Sequence, residues 1–135
     1  AAMAAASEMG ARKVIPLTVS GAFHSPLMES ARSGLAEAIS EVELADPAWP
    51  VVANASASEI RTASAARARL VEQLTSPVRW VESVEVMEAS GPDLWIELGP
   101  GRVLSGLLKR IDRGQTSAAA GTPVELEQMV EAFNA

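Results

Sequence analysis

The chain has 135 residues, 48% of them hydrophobic, a formal net charge of −6, no cysteine and one histidine. That length and apolar content suffice for one globular unit with a buried core, while the cysteine and histidine counts exclude disulfides, thiolate metal sites, a cysteine nucleophile and nitrogen-rich metal clusters, so no metal is expected. An acidic chain without a Lys/Arg run and with few aromatics is not built to bind nucleic acid, and neither a signal-like basic flank nor a membrane-length apolar run occurs, which predicts a soluble, cytoplasmic protein with no membrane contact.

Residues 1–9 read as the end of an Ala-rich helix stopped by Gly10, and a chain opening inside a helix reads as part of something longer. Val14-Ile15-Pro16-Leu17-Thr18-Val19 has the content of a strand, its proline pointing to a sheet edge. After Ser20-Gly21, the pair Ser25-Pro26 has the order N-cap then first-turn proline, and Leu27, Ala31, Leu35, Ala38, Ile39 and Val42 recur at helical spacing, predicting a helix over 26–42. Residues 49–54, bounded by proline and small polar residues, suit a buried strand. A helix through Ala66, Leu70, Val71 and Leu74 follows, and Ser76-Pro77 reads as the cap of another through Val81, Val84 and Met87, ended by Gly91-Pro92. Residues 94–98 read as a strand, Gly99-Pro100-Gly101 as a tight turn, and Val103, Leu104, Leu107, Leu108 and Ile111 as one face of a helix. The small, polar stretch 114–121 reads as a surface connection, and Thr122-Pro123-Val124-Glu125 as a capping box opening a last helix. Strands alternating with helices predict an α/β fold with a mainly parallel sheet.

His24, the sole histidine, lies in a loop entering a capped helix. Spacing alone favours a loop histidine bonded to nearby backbone over a general base. A base in acyl transfer needs a hydroxyl or thiol to activate, amide donors for the oxyanion and a partner for its far nitrogen. The serines are caps or loop residues, and none stands in a G-x-S-x-G elbow, so a nucleophile is absent from this stretch. Gly99-Pro100-Gly101 lacks a phosphate-loop fingerprint and reads as a plain turn.

Three segments in order, Gly21-Ala22-Phe23-His24-Ser25-Pro26-Leu27-Met28, Val71-Glu72-Gln73-Leu74-Thr75-Ser76-Pro77-Val78-Arg79-Trp80 and Glu97-Leu98-Gly99-Pro100-Gly101-Arg102-Val103-Leu104-Ser105-Gly106-Leu107, resemble the malonyl-CoA:acyl-carrier-protein transacylases and related acyltransferase domains. The resemblance implies that residues 1–20 end a small ferredoxin-like subdomain with its last helix and strand, and that 21–135 form the carboxy-terminal part of a hydrolase-like core. It implies malonyl transfer from coenzyme A to the phosphopantetheine thiol of an acyl carrier protein through a serine acyl-enzyme, for fatty-acid synthesis, with no permanently bound cofactor. By the same resemblance His24 is the catalytic base, the main-chain carbonyl of Gln73 orients it, and Phe23 crowds branched acyl groups and so favours malonyl. Arg102, Lys109 and Arg110 are candidates for contact with an acidic carrier protein. The family's serine elbow, carboxylate-binding arginine and oxyanion glutamine are missing here, so the isolated chain is expected to be inactive and to need the amino-terminal remainder of the same enzyme. Alternatives are an acyltransferase domain of a polyketide synthase, a non-catalytic carrier-docking scaffold and a serine hydrolase.

Overall fold

Residues 2–16 and 20–134 are described by a computed structural model of the chain. The Ala-rich start forms helix α1 (Ala2–Glu8), and Gly10 ends it with φ +90°. Residues 13–16 carry no strand, and the rest of the strand expected over 14–19 lies at 17–19, outside the described residues. Pro16 removes an amide donor there, and no described strand lies beside 13–16 to form a ladder.

Ser25 caps a 3-10 turn (Pro26–Met28) with proline in its first turn, and α2 (Glu29–Ser40) continues from it, so the expected single helix is a tight turn feeding a helix. The strand expected near 49–54 is β1 (Val51–Ala53). It pairs antiparallel with β2 (Ser58–Ile60), Val51 opposite Ile60, a strand that the sequence did not signal. The reason lies in the connecting turn, where Ala57 occupies a left-handed conformation at φ 48° that ordinarily advertises itself as glycine or asparagine.

Thr62 caps α3 (Ala63–Glu72) through its hydroxyl, which accepts from Ala65 N. Helix α4 runs Trp80–Glu88, three residues later than Ser76-Pro77 suggests. The amide of Arg79 donates to Asn54 O (3.2 Å) and its guanidinium to Ser56 O (3.0 Å). Residues 77–79 are thereby held as a bridge to the β1–β2 turn, and helical backbone begins only after them.

The second half is one crossover unit. Strand β3 (Trp95–Leu98) leads through a turn, in which Gly99 and Gly101 hold φ of 127° and 92°, into α5 (Val103–Ile111) and back to β4 (Ser117–Ala120). β4 lies parallel to β3 with Trp95 opposite Ser117 and Leu98 opposite Ala120. Within the stretch 114–121, residues 117–120 are therefore a strand rather than a surface connection. Alanine and serine carry little strand propensity, and the pairing is imposed by the neighbouring strand instead. Helix α6 (Pro123–Asn134) packs on β4.

The α/β class holds, with one parallel and one antiparallel ladder among the described residues. The buried core is small and central: Val84 and Ser83 of α4, Ile60 of β2, Leu108 of α5 and Ala120 of β4. Ser83 is the buried polar member, and its hydroxyl is satisfied by donating to Arg79 O (2.7 Å). Between the two ladders lies an apolar cleft of about 410 Å³ walled by Val51, Val52, Trp80, Met87, Ile96 and Leu108. Large apolar side chains remain exposed beyond it, Trp49 and Leu98 among them.

Candidate active site

His24 sits in the loop before the 3-10 turn with φ 60°, a left-handed conformation that costs a non-glycine residue roughly 1–2 kcal/mol. Two bonds from the end of α3 hold it there. Its amide donates to Leu74 O at 3.0 Å, and its ring nitrogen Nδ1 lies 2.8 Å from Gln73 O. A carbonyl can only accept, so Nδ1 carries the hydrogen, and in the neutral ring Nε2 is left as the proton acceptor.

The acceptors are available because of where α3 stops. Gln73 is its C-cap, its own amide still bonded to Arg69 O, while the last carbonyls of a helix have no intrahelical partner. Residues 49 positions apart are thus joined. His24 is exposed and Gln73 half-buried. Ser25, next in sequence, is not poised as a nucleophile: its hydroxyl donates to Ala22 O (2.6 Å) and accepts from Leu27 N (3.4 Å).

Phe23 is 55% exposed, and its ring folds back over Gly21, where a Cβ would meet Phe23 Cε2 at 3.0 Å. Only a glycine fits under that ring without displacing it. The cationic candidates lie elsewhere on the fold. Arg102 and Lys109 border a groove of about 390 Å³ on α5 and β4, and Arg110 shares the last turn of α5 with Lys109.

Two carboxylates near that groove have structural duties. Glu97 of β3 accepts from Ser105 Oγ (2.6 Å), Ser105 N (2.8 Å) and Leu104 N (2.9 Å). It caps α5 from outside the helix, since Arg102 at the N-cap offers no side-chain bond. The Ser105 hydroxyl first, then the amides, hold its carboxyl below the ordinary value of 4.5. Glu125 closes the expected capping box, accepting from Gly121 N (2.7 Å) and Thr122 N (3.0 Å) while Thr122 Oγ1 accepts from Glu125 N (3.3 Å). The Gly121 amide chiefly lowers its carboxyl as well. No cluster of three or more His, Cys, Asp or Glu able to hold a metal occurs among the described residues, and no described helix is long and apolar enough to cross a membrane.

The main-chain role of Leu74 and the long-range bonds of Arg67, whose guanidinium reaches Ile39 O and Val42 O, escaped the sequence. Backbone carbonyls carry no residue signature, and the spacing between Arg67 and its acceptors is set by tertiary structure.

No family model matches the chain. It is 40% identical over 126 residues to the malonyl-CoA:acyl carrier protein transacylase of Bacillus subtilis, covering 93% of this chain and 40% of that protein. Among solved structures, the malonyl-CoA:acyl carrier protein transacylase of Xanthomonas oryzae superposes with a TM-score of 0.87 at 39% identity, over 97% of this chain and 42% of its own. A malonyl-transacylase in complex with a type II polyketide acyl-carrier protein gives the same TM-score and identity over the same shares of the two chains. At these TM-scores and identities the α/β fold of the chain is that of part of the solved transacylases. Over nearly its whole length the chain is similar to malonyl-CoA:acyl-carrier-protein transacylases, and it spans 40% of the length of the Bacillus relative.

Proposed function

We propose that this chain is the carboxy-terminal portion of a malonyl-CoA:acyl-carrier-protein transacylase and supplies its general base, His24. The observation that carries the reading is the Nδ1–H bond to Gln73 O, which fixes the tautomer in which Nε2 can take a proton. No aspartate is needed, because a helix-end carbonyl does the orienting.

In the proposed reaction a serine hydroxyl from the rest of the enzyme attacks the thioester carbonyl of malonyl-CoA, and its proton passes to Nε2. Collapse of the tetrahedral intermediate breaks the carbon–sulfur bond, and the departing coenzyme A sulfur takes that proton from the imidazolium. The carrier's phosphopantetheine thiol then gives its proton to Nε2 as it attacks the acyl-serine, and the serine oxygen recovers the proton on leaving. One base serves both halves in reverse order. Malonyl-CoA and carrier protein are substrates, and no resident cofactor enters.

Phe23 is assigned to the acyl pocket, where its ring disfavours a branched acyl group by about 1–3 kcal/mol. Arg102, Lys109 and Arg110 are assigned to the approach of an acidic carrier, with rim charges acting mainly on association rate. Residues 1–20 are assigned to the end of a small ferredoxin-like subdomain and 21–135 to the acyltransferase core, in a cytoplasmic enzyme. The exposed apolar walls of the inter-ladder cleft fit a chain that completes its core with further sequence, and turnover belongs to that longer polypeptide. A second reading keeps the chemistry and changes the pathway: the carrier would be a polyketide acyl-carrier protein, as in the solved complex of a similar malonyl-transacylase, rather than a fatty-acid one.

Intact-mass spectrometry of the polypeptide carrying this chain, mixed with malonyl-CoA and then with carrier protein, tests the proposal. A malonyl adduct that forms on the enzyme and moves to the carrier is expected. No adduct on folded protein, with malonyl or methylmalonyl donor, sides instead with a non-catalytic scaffold.

A further inference from the structure

His24 is attached to α3 at one end of a helix pair, and the other end of the same pair is closed by a second bond of the same kind. Helix α2 follows His24 through the 3-10 turn, packs along α3, and ends at Ser40. There the half-buried Arg67 of α3 donates through Nη1 to Ile39 O and through Nη2 to Val42 O. The arrangement is reciprocal. The carbonyls ending α3 receive donors from His24, just ahead of α2, and the carbonyls ending α2 receive donors from Arg67 on α3. Residues 24–42 and 67–74 form a ring closed at both ends by side chains on helix-end carbonyls.

A ring tied at one end only can rock. The bond from Nδ1 to Gln73 O is the hinge, and it lies at an exposed loop whose residue already holds a left-handed backbone. We infer that Arg67 is a positioning residue for the base: its two-pronged grip on the end of α2 keeps the His24 ring registered on Gln73 O. This inference rests on the reading of His24 as the base. The guanidinium suits the task because its planar fork spans two carbonyls at once, whereas an ammonium is a single point donor. Its bonds go to carbonyls at the favourable, negative end of α2.

The test compares Arg67→Met, which keeps the stem and removes the fork, with Arg67→Lys, which keeps charge and one prong, in the polypeptide carrying this chain. Two quantities are read: kcat and KM for malonyl transfer, and water exchange of the His24 Nδ1–H by NMR, its signal assigned by its disappearance in His24→Gln. A displacement of about 1 Å at a reacting group is enough to cost up to 100-fold in rate. Arg67→Met is therefore expected to lower kcat roughly tenfold with KM nearly unchanged and to speed Nδ1–H exchange in parallel, with Arg67→Lys intermediate in both. Wild-type exchange in folded Arg67→Met, or a fall in kcat without faster exchange, overturns the inference. Failure of both variants to fold makes Arg67 a structural residue and overturns it too. A wild type that transfers no malonyl group defeats the acyltransferase reading alone, because exchange is read without turnover.

Discussion

The two halves of the molecule both cap helix N-termini with side-chain acceptors, Thr62 and Asp46 on α3 in the first, but only the first also sets side-chain donors on helix-end carbonyls over long range. In the β3–α5–β4–α6 half, carboxylates accept from helix N-terminal amides: Glu97 on α5 and Glu125 on α6. Each is within eight residues of its partners and takes three or more bonds. In the first half, His24 and Arg67 donate to the carbonyls ending α3 and α2, across 49 residues in one case and 25 to 28 in the other. Glu97 commits both carboxylate oxygens to these bonds and Glu125 commits Oε2 alone. The imidazole spends one nitrogen on the carbonyl and keeps the other. A helix end can therefore be capped by a nearby side chain, or can fix the orientation of a distant one.

That contrast breaks if removing His24 unfolds the chain or if removing a carboxylate cap stops the chemistry. His24→Ala is expected to slow malonyl transfer by about 10²–10⁴-fold, followed by quenched-flow intact mass, with an unchanged urea midpoint. Val84→Ala, at a fully buried core position of α4, should do the reverse, removing about 2 kcal/mol of stability in urea titration while the His24 ring signals stay in place. Thr122→Ala deletes the hydroxyl of the capping box and should cost about 1 kcal/mol by the same titration, with no effect on transfer. The smallest effect is expected from Glu97→Gln. The folded carboxyl of Glu97 is held below its ordinary 4.5, so its stabilisation is present above that value and is lost as pH falls through the folded value. The substitution should flatten the acid limb of the stability–pH curve below about pH 4.5, and a limb as steep as wild type would contradict the assignment.

The same contrast explains what could be read from sequence. The capping box at Thr122–Glu125 is a local pattern, and it appears in space as expected. So do the first-turn proline after Ser25 and the Gly99–Gly101 turn. β2 was hidden because Ala57 takes a backbone conformation that its side chain does not announce, and β4 because Ser117–Ala120 has loop-like composition and owes its pairing to β3. The start of α4 moved because Arg79 answers to Asn54 and Ser56, not to Ser76. The pairing of His24 with the Gln73 carbonyl was visible through motif resemblance, whereas the bonds of Leu74 and Arg67 depend on geometry that no spacing encodes. Local hydrogen bonds are legible in sequence, and long-range ones between side chain and main chain are not.

The most direct test of the central claim is the ¹⁵N spectrum of the imidazole, for which the chain is well suited because His24 is its only histidine. The bond to Gln73 O predicts that in the neutral ring Nδ1 carries the hydrogen and Nε2 does not. A neutral ring protonated at Nε2, or one averaging freely between tautomers, would contradict the account, since the nitrogen meant to accept the serine proton would then already be occupied.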